Sequence, residues 1–341
     1  MRGYPKVGCF RRLLLPALSI ALALLAAAPA AGADGQRYRD EVFDSVLVTS
    51  DIAYGEAIDE HGELETLYLD LYEPEGDAAT GRPALVWIHG GGFTGGDKAD
   101  SLHVEIATRF AKRGYVAASI NYRLREGEYF EPNDPELPLA IADAQHDAQA
   151  AVRWLRANAA SYRIDPGRIA VGGSSAGAVT SLYVTYNSSD PGDSGNPGYP
   201  SDVSAGVSVS GAMAPLLIEA GEPPAMMVHG VEDTRVPYDL ALQVVARAQA
   251  VGVTVEFHPL DGIGHGVWTL YKEPVIAWMS DFLYRQVASP PVGGLAEPAA
   301  LPAECETSVP FAPIAAAAGL GGGLLLAVAS VALHKRLFRS S

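Results

Sequence analysis

The chain has 341 residues, 48 % of them hydrophobic and 19 % charged, a balance that fits a folded globular body and excludes disorder for its bulk. The net charge is −16 but unevenly spread: residues 1–33 and 311–341 hold basic side chains and no acid, so 34–310 carry 17 basic against 40 acidic residues, a net of −23. So acidic a body repels phosphate backbones, which argues against nucleic acid as a partner and disfavours polyanionic substrates.

The first segment, 1–33, reads as a signal peptide. Arg11 and Arg12 precede the apolar run 13–28, and the small-residue pattern Ala31-Gly32-Ala33 stands before Asp34 as a cleavage point. Residues 34–288 then alternate between strand and helix patterns. An alternating strand is predicted at 67–72, and a continuous apolar strand at 84–88, bounded by Pro83 and a glycine cluster. There follow a helix over 102–112 stopped by Gly114, a strand over 115–120, and a helix over 140–159 with Ala151, Val152, Leu155 and Ala159 on one face. The theme repeats with strand 169–171, helix 176–186, strands 207–209 and 225–228, helix 239–250, strand 254–257 and helix 267–284.

Such alternation implies an α/β fold with a mostly parallel central sheet of about eight strands, helices on both faces and no large cap domain. Two polar loops, 126–138 and 187–202, interrupt it as surface insertions or as a partial rim to a site. Residues 289–310, rich in Pro, Ala and Gly, read as a stalk. In 311–334, residues 314–333 lack any charge and would span about 30 Å as a helix, so this segment is predicted as a transmembrane anchor or a sorting helix. The basic tail 335–341 is the expected cytoplasmic stop. The chain is thus expected to be exported, with its body outside the cytoplasm, held in the membrane by the C-terminal helix or released if that tail is processed.

The two cysteines, Cys9 and Cys305, both fall outside the predicted body, so neither a disulfide framework nor a zinc cluster is expected. The histidines are scattered without ligand spacing, and neither metal nor cofactor is expected.

In parallel α/β sheets chemistry gathers at the carboxyl ends of strands. After the strand 169–171 comes Gly172-Gly173-Ser174-Ser175-Ala176-Gly177-Ala178, which contains G-x-S-x-G between a strand and an apolar helix. A nucleophile at so sharp a turn needs small residues on both sides, which singles out Ser175, with Gly173 and Gly177 as its supports. After the strand 84–88 comes His89-Gly90-Gly91-Gly92-Phe93. Glycine there lets backbone N–H groups approach a reacting oxygen, so Gly91, Gly92 and the N–H of Ala176 are the candidate oxyanion donors, with His89 and Gly90 shaping the loop. The P-loop spacing G-x-x-x-x-G-K-[ST] is absent. A serine nucleophile in this fold needs an acid and then a base later in the chain. Asp233 in His229-Gly230-Val231-Glu232-Asp233 and His265 in Gly264-His265-Gly266 fit that order, with Glu232 and Asp261 as rival acids on the same loops.

With HGGGF at 89–93, NYRL at 121–124, DPGRIAVGGSSAGA at 165–178, HGVEDTRVP at 229–237 and GHG at 264–266, the sequence resembles the α/β-hydrolase superfamily. The likeness is to carboxylesterases of the hormone-sensitive-lipase-like and type-B carboxylesterase kind. It departs from them at Ser174, where an acidic residue is common, and after NYRL, where REGE stands. The resemblance implies a serine ester hydrolase acting on small, neutral, short- to medium-chain esters through Ser175, His265 and Asp233 and an acyl-enzyme. A serine peptidase or arylformamidase-type amide hydrolase of the same fold is an alternative. A catalytically idle surface module is another, against which stands the presence of every reacting residue.

Overall fold

The structure, a computed structural model, describes residues 35–127 and 134–289. The predicted signal peptide, the stalk beyond residue 289, the anchor or sorting helix, the basic tail and both cysteines lie outside the described residues, as do positions 128–133 of the first loop. Among the described residues no helix is long and apolar enough to cross a membrane.

Eight strands form one sheet: β1 (Val46–Ile58), β2 (Leu64–Pro74), β3 (Arg82–Ile88), β4 (Val116–Ile120), β5 (Ile164–Ser174), β6 (Ala205–Val209), β7 (Ala225–Gly230) and β8 (Val255–Leu260). Their spatial order is β1-β2-β4-β3-β5-β6-β7-β8. The β1–β2 and β2–β4 pairs are antiparallel, and every pair from β4 through β3 to β8 is parallel. The helices are α1 (Ser101–Lys112), α2 (Leu137–Ala157), α3 (Ala176–Tyr186), α4 (Tyr238–Val251) and α5 (Val267–Leu283).

The strand period of two sorts the central residues between two cores. In β3, Ala84, Val86 and Ile88 join the cluster that includes residues of α2, α3 and α4, while Leu85 and Trp87 join the cluster built with α1 and α5. Every residue of β3 is buried, because helices cover both faces, and this is why 84–88 form an unbroken apolar run. The expectation of a two-faced, mostly parallel sheet therefore holds, and the β6–β7 connection carries only the 3₁₀ turn Pro215–Leu217.

Several local expectations are corrected. The long strand β1 has no counterpart in the sequence reading: it lies at the sheet's edge with mostly exposed residues, so it lacks the buried alternation that marks a strand. Helix α2 begins at Leu137, inside the stretch read as loop, because Pro138 suits the first turn, where its missing N–H costs nothing. Strand β5 begins at Ile164, five residues before the apolar run, across a register shift opposite Arg82 and Ala84. Helix α5 is not continuous: Tyr271 leaves helical geometry at φ −120° and ψ 18°, with Pro274 following. The loop 187–202 is packed down rather than loose, since Arg153 of α2 donates to the carbonyls of Pro191 and Gly195, and the Ser194 carbonyl accepts from Glu56 N–H of β1.

Candidate active site

Because β3, β5, β7 and β8 run parallel, the segments that follow them emerge at one edge of the sheet. Ser175 stands between β5 and α3 with φ 54° and ψ −118°, a left-handed backbone that a side-chain-bearing residue adopts at a cost of about 1–3 kcal/mol. The surrounding structure holds it there: Ser175 N–H donates to Val209 O of β6 at 2.9 Å, while its own carbonyl accepts from Ala178 and Val179 N–H at 2.9 and 3.0 Å. The flanking glycines are obligatory. A Cβ on Gly173 would lie 2.2 Å from Gly177 O, and one on Gly177 would lie 2.2 Å from Ile88 O.

The glycine loop lies against this turn. A Cβ on Gly90 would stand 3.2 Å from that of Ser175. Gly91 and Gly92 take φ 117° and 65°, and any side chain at Gly91 would run into Gly95 O. Ala176 opens α3, where the first N–H groups have no carbonyl behind them in the helix and point toward an approaching anion. His89 is wholly buried, stacked on Tyr122 at 4.4 Å, with its Nδ1 2.6 Å from Gly90 O; burial holds its ring below the usual imidazole range. The ring is thereby tied to the glycine loop at Gly90.

Ser175 Oγ lies 2.8 Å from His265 Nε2, and His265 Nδ1 lies 2.8 Å from Asp233 Oδ2. A carboxylate only accepts, so Nδ1 carries the proton and Nε2 is free to accept from the serine hydroxyl. Asp233 is buried at 4 % exposure, whereas the rival acids Glu232 and Asp261 are exposed. Burial works to raise the Asp233 carboxyl, but the His265 hydrogen bond and charge, Val236 N–H and His229 together hold it below its ordinary value. Its Oδ1 accepts from the N–H groups of Arg235 and Val236 at 2.9 and 3.1 Å, which fixes the carboxylate plane. The acid and histidine loops also touch: Glu232 N–H donates to Ile263 O at 2.9 Å, and a Cβ on Gly230 would collide with Gly264 O.

The other described histidines are otherwise engaged. His103 accepts the Trp87 indole N–H, His146 faces Asp190, and His258 stacks on Trp278. His61 lies near Glu60 and Glu126. No group of His, Cys, Asp and Glu among the described residues could hold a metal ion.

The solved structure of Thermogutta terrifontis esterase 2 phosphorylated by paraoxon superposes with a TM-score of 0.59, covering 71 % of this chain and 94 % of that one at 22 % identity. The chain has the α/β-hydrolase fold. Two family descriptions match stretches of the body, BD-FAE residues 69–195 and the prolyl oligopeptidase family residues 193–289. Among curated proteins, fumonisin B1 esterase of Sphingopyxis macrogoltabida is 33 % identical over 33 % of this chain and 22 % of its own length. Cholinesterase 1 of Branchiostoma lanceolatum is 35 % identical over 34 % of the chain and 31 % of its own. Chlorogenic acid esterase of Aspergillus niger is 30 % identical over 46 % and 28 %. The matched stretch thus spans less than a third of each of these three relatives.

Two residues of the candidate site were not singled out from sequence. His229, wholly buried, places Nε2 2.8 Å from Val236 O and 3.4 Å from Asp233 Oδ2, bracing the acid loop; burial lowers its pKa. Its presence four residues before Asp233 is the one signal available. The second, Trp268, reaches the nucleophile's neighbour across a gap that no local pattern records.

Proposed function

We propose that the chain is a serine carboxylic ester hydrolase. The observation that carries this is the continuous hydrogen-bonded line Ser175–His265–Asp233, beside a glycine loop and a helix N-terminus able to receive an oxyanion. In this reading Ser175 Oγ attacks the ester carbonyl while His265 Nε2 takes its proton, and Asp233 holds the ring and stabilises the imidazolium. The N–H groups of Gly91, Gly92 and Ala176 stabilise the tetrahedral oxyanion. His265 then protonates the leaving alcohol, and water releases the acyl group by the same relay.

Small, neutral, short- to medium-chain esters are the proposed substrates. Support comes from the acidic body, which disfavours anionic esters, from relatives named as esterases, and from a structural neighbour captured with propionate and with butyrate. From the N-terminal and C-terminal sequence patterns we further propose an exported enzyme with its active site outside the cytoplasm, anchored by its C-terminal segment or released if that segment is processed. The match of residues 193–289 to the prolyl oligopeptidase family favours amide hydrolysis as the second reading.

The test is hydrolysis of p-nitrophenyl esters from acetyl to dodecanoyl, and of matched anilides, by the full chain and its Ser175→Ala variant. Activity on the shorter esters, negligible on anilides and lost in the variant, is expected. Ester turnover that survives in Ser175→Ala would defeat the assignment, and anilide turnover would favour the second reading.

A further inference from the structure

The Trp268 indole Nε1–H donates to Ser174 Oγ at 2.8 Å, a contact for which the proposed relay has no use. Ser174 ends β5 and directly precedes Ser175, while Trp268 lies in the first turn of α5, three residues beyond His265. One hydrogen bond therefore clasps the segment carrying the proton donor to the segment carrying its acceptor. The indole is held in direction as well as place, packing edge-on against Trp87 of β3 with ring centroids 6.0 Å apart and planes at 83°. Ser174 is itself buried. Trp87 is fixed in turn by its bond to His103 of α1. On the other side, the His265 loop is tied to the acid loop through Glu232 N–H and Ile263 O. The Trp268–Ser174 bond is its tie to the nucleophile turn.

We infer that Trp268 is a positioning residue for the proton transfer between Ser175 and His265, acting through the Ser174 hydroxyl. This rests on the reading of Ser175 and His265 as the reacting pair. Trp268 bonds to the neighbour of one and stands three residues beyond the other, and its effect is on their separation. Proton transfer is sensitive to that separation, since a misplacement of about 1 Å in a reacting group costs on the order of a hundredfold in rate. The inference also gives Ser174 a role: a hydroxyl that accepts the indole proton at the position where the resembled family commonly carries an acid.

The experiment compares the full chain with Trp268→Phe, Ser174→Ala and the double variant. It measures steady-state hydrolysis of p-nitrophenyl butyrate and the rate at which paraoxon phosphorylates the protein, the second reporting nucleophile activation without deacylation. Trp268→Phe keeps the ring against Trp87, and Ser174→Ala removes one oxygen, so failure of either to fold leaves the other informative. Each single variant should lower kcat about 5- to 30-fold with KM held within about twofold, as expected for loss of one orienting hydrogen bond. Phosphorylation should slow by the same factor, and the double variant should be no worse than either single. A kcat at the unmodified level in either single variant, losses that multiply in the double, or a loss confined to KM would overturn the inference. If the unmodified chain neither turns over the ester nor takes the phosphoryl label, the proposed function falls first and the inference with it.

Discussion

The Asp233 carboxylate has its two oxygens divided between tasks, Oδ2 toward His265 and Oδ1 toward the N–H groups of Arg235 and Val236. An amide can keep one of these sets but presents its NH₂ to the other, so Asp233→Asn should leave the loop folded while favouring the wrong histidine tautomer. Its expected cost in kcat is about 10⁴-fold, measured on the same ester with thermal unfolding as the folding control. His103 makes a different prediction. Its Nδ1 accepts the Trp87 indole N–H at 2.9 Å, which demands a neutral ring, and burial, aided by nearby His89 and opposed by Asp97 and Asp100, pushes its pKa down to about 4. The folded value lies below the unfolded one of about 6.5, so between these the unfolded chain binds the extra proton. The stability gained by keeping the ring neutral is therefore complete above pH of about 6.5 and lost progressively as pH falls toward 4. Urea midpoints across this window should show His103→Gln losing less on acidification than the unmodified chain, by up to about 3 kcal/mol.

At the scale of elements, what could be read in the sequence was what local pattern determines. Helix α3 occupies 176–186 as expected, because its start is set by the G-x-S-x-G turn and its residues are apolar nearly all round. Strand β3 announced itself by burial on both faces. Strand β1 left no such mark, since an edge strand is defined by its partner β2 and not by its own alternation. The same division runs through the site. Ser175, the glycine loop, Asp233 and His265 each sit in a short motif, and of the three carboxylates on the acid and histidine loops Asp233 alone is the buried one bonded to His265. The Trp268–Ser174 bond joins residues 94 positions apart, a pairing that only the closed sheet creates. One helix end offers a clean energetic test: α4 stops at Gly252, which has φ 75° and nothing within 4 Å of where a Cβ would sit. Gly252→Ala should thus cost only the left-handed conformational penalty, about 1 kcal/mol in a urea titration, with ester turnover unchanged.

For the molecule as a whole, charge rather than shape predicts how substrates arrive. A net of −23 over residues 34–310 gives a field that draws cations and repels anions. Raising ionic strength from low to physiological levels should lower kcat/KM a few-fold for an ester of choline and raise it for a hemisuccinate ester, leaving a neutral butyrate nearly unaffected. The order of the chain through the sheet has a consequence of another kind. The glycine loop and Ser175 follow β3 and β5, while Asp233 and His265 follow β7 and β8. On the proposed reading, a ribosome that has made the chain only through α3 has produced the attacking oxygen but not the imidazole that accepts its proton. On that reading the nascent polypeptide is its own zymogen, activated not by cleavage but by the addition of β7 and β8 to the sheet.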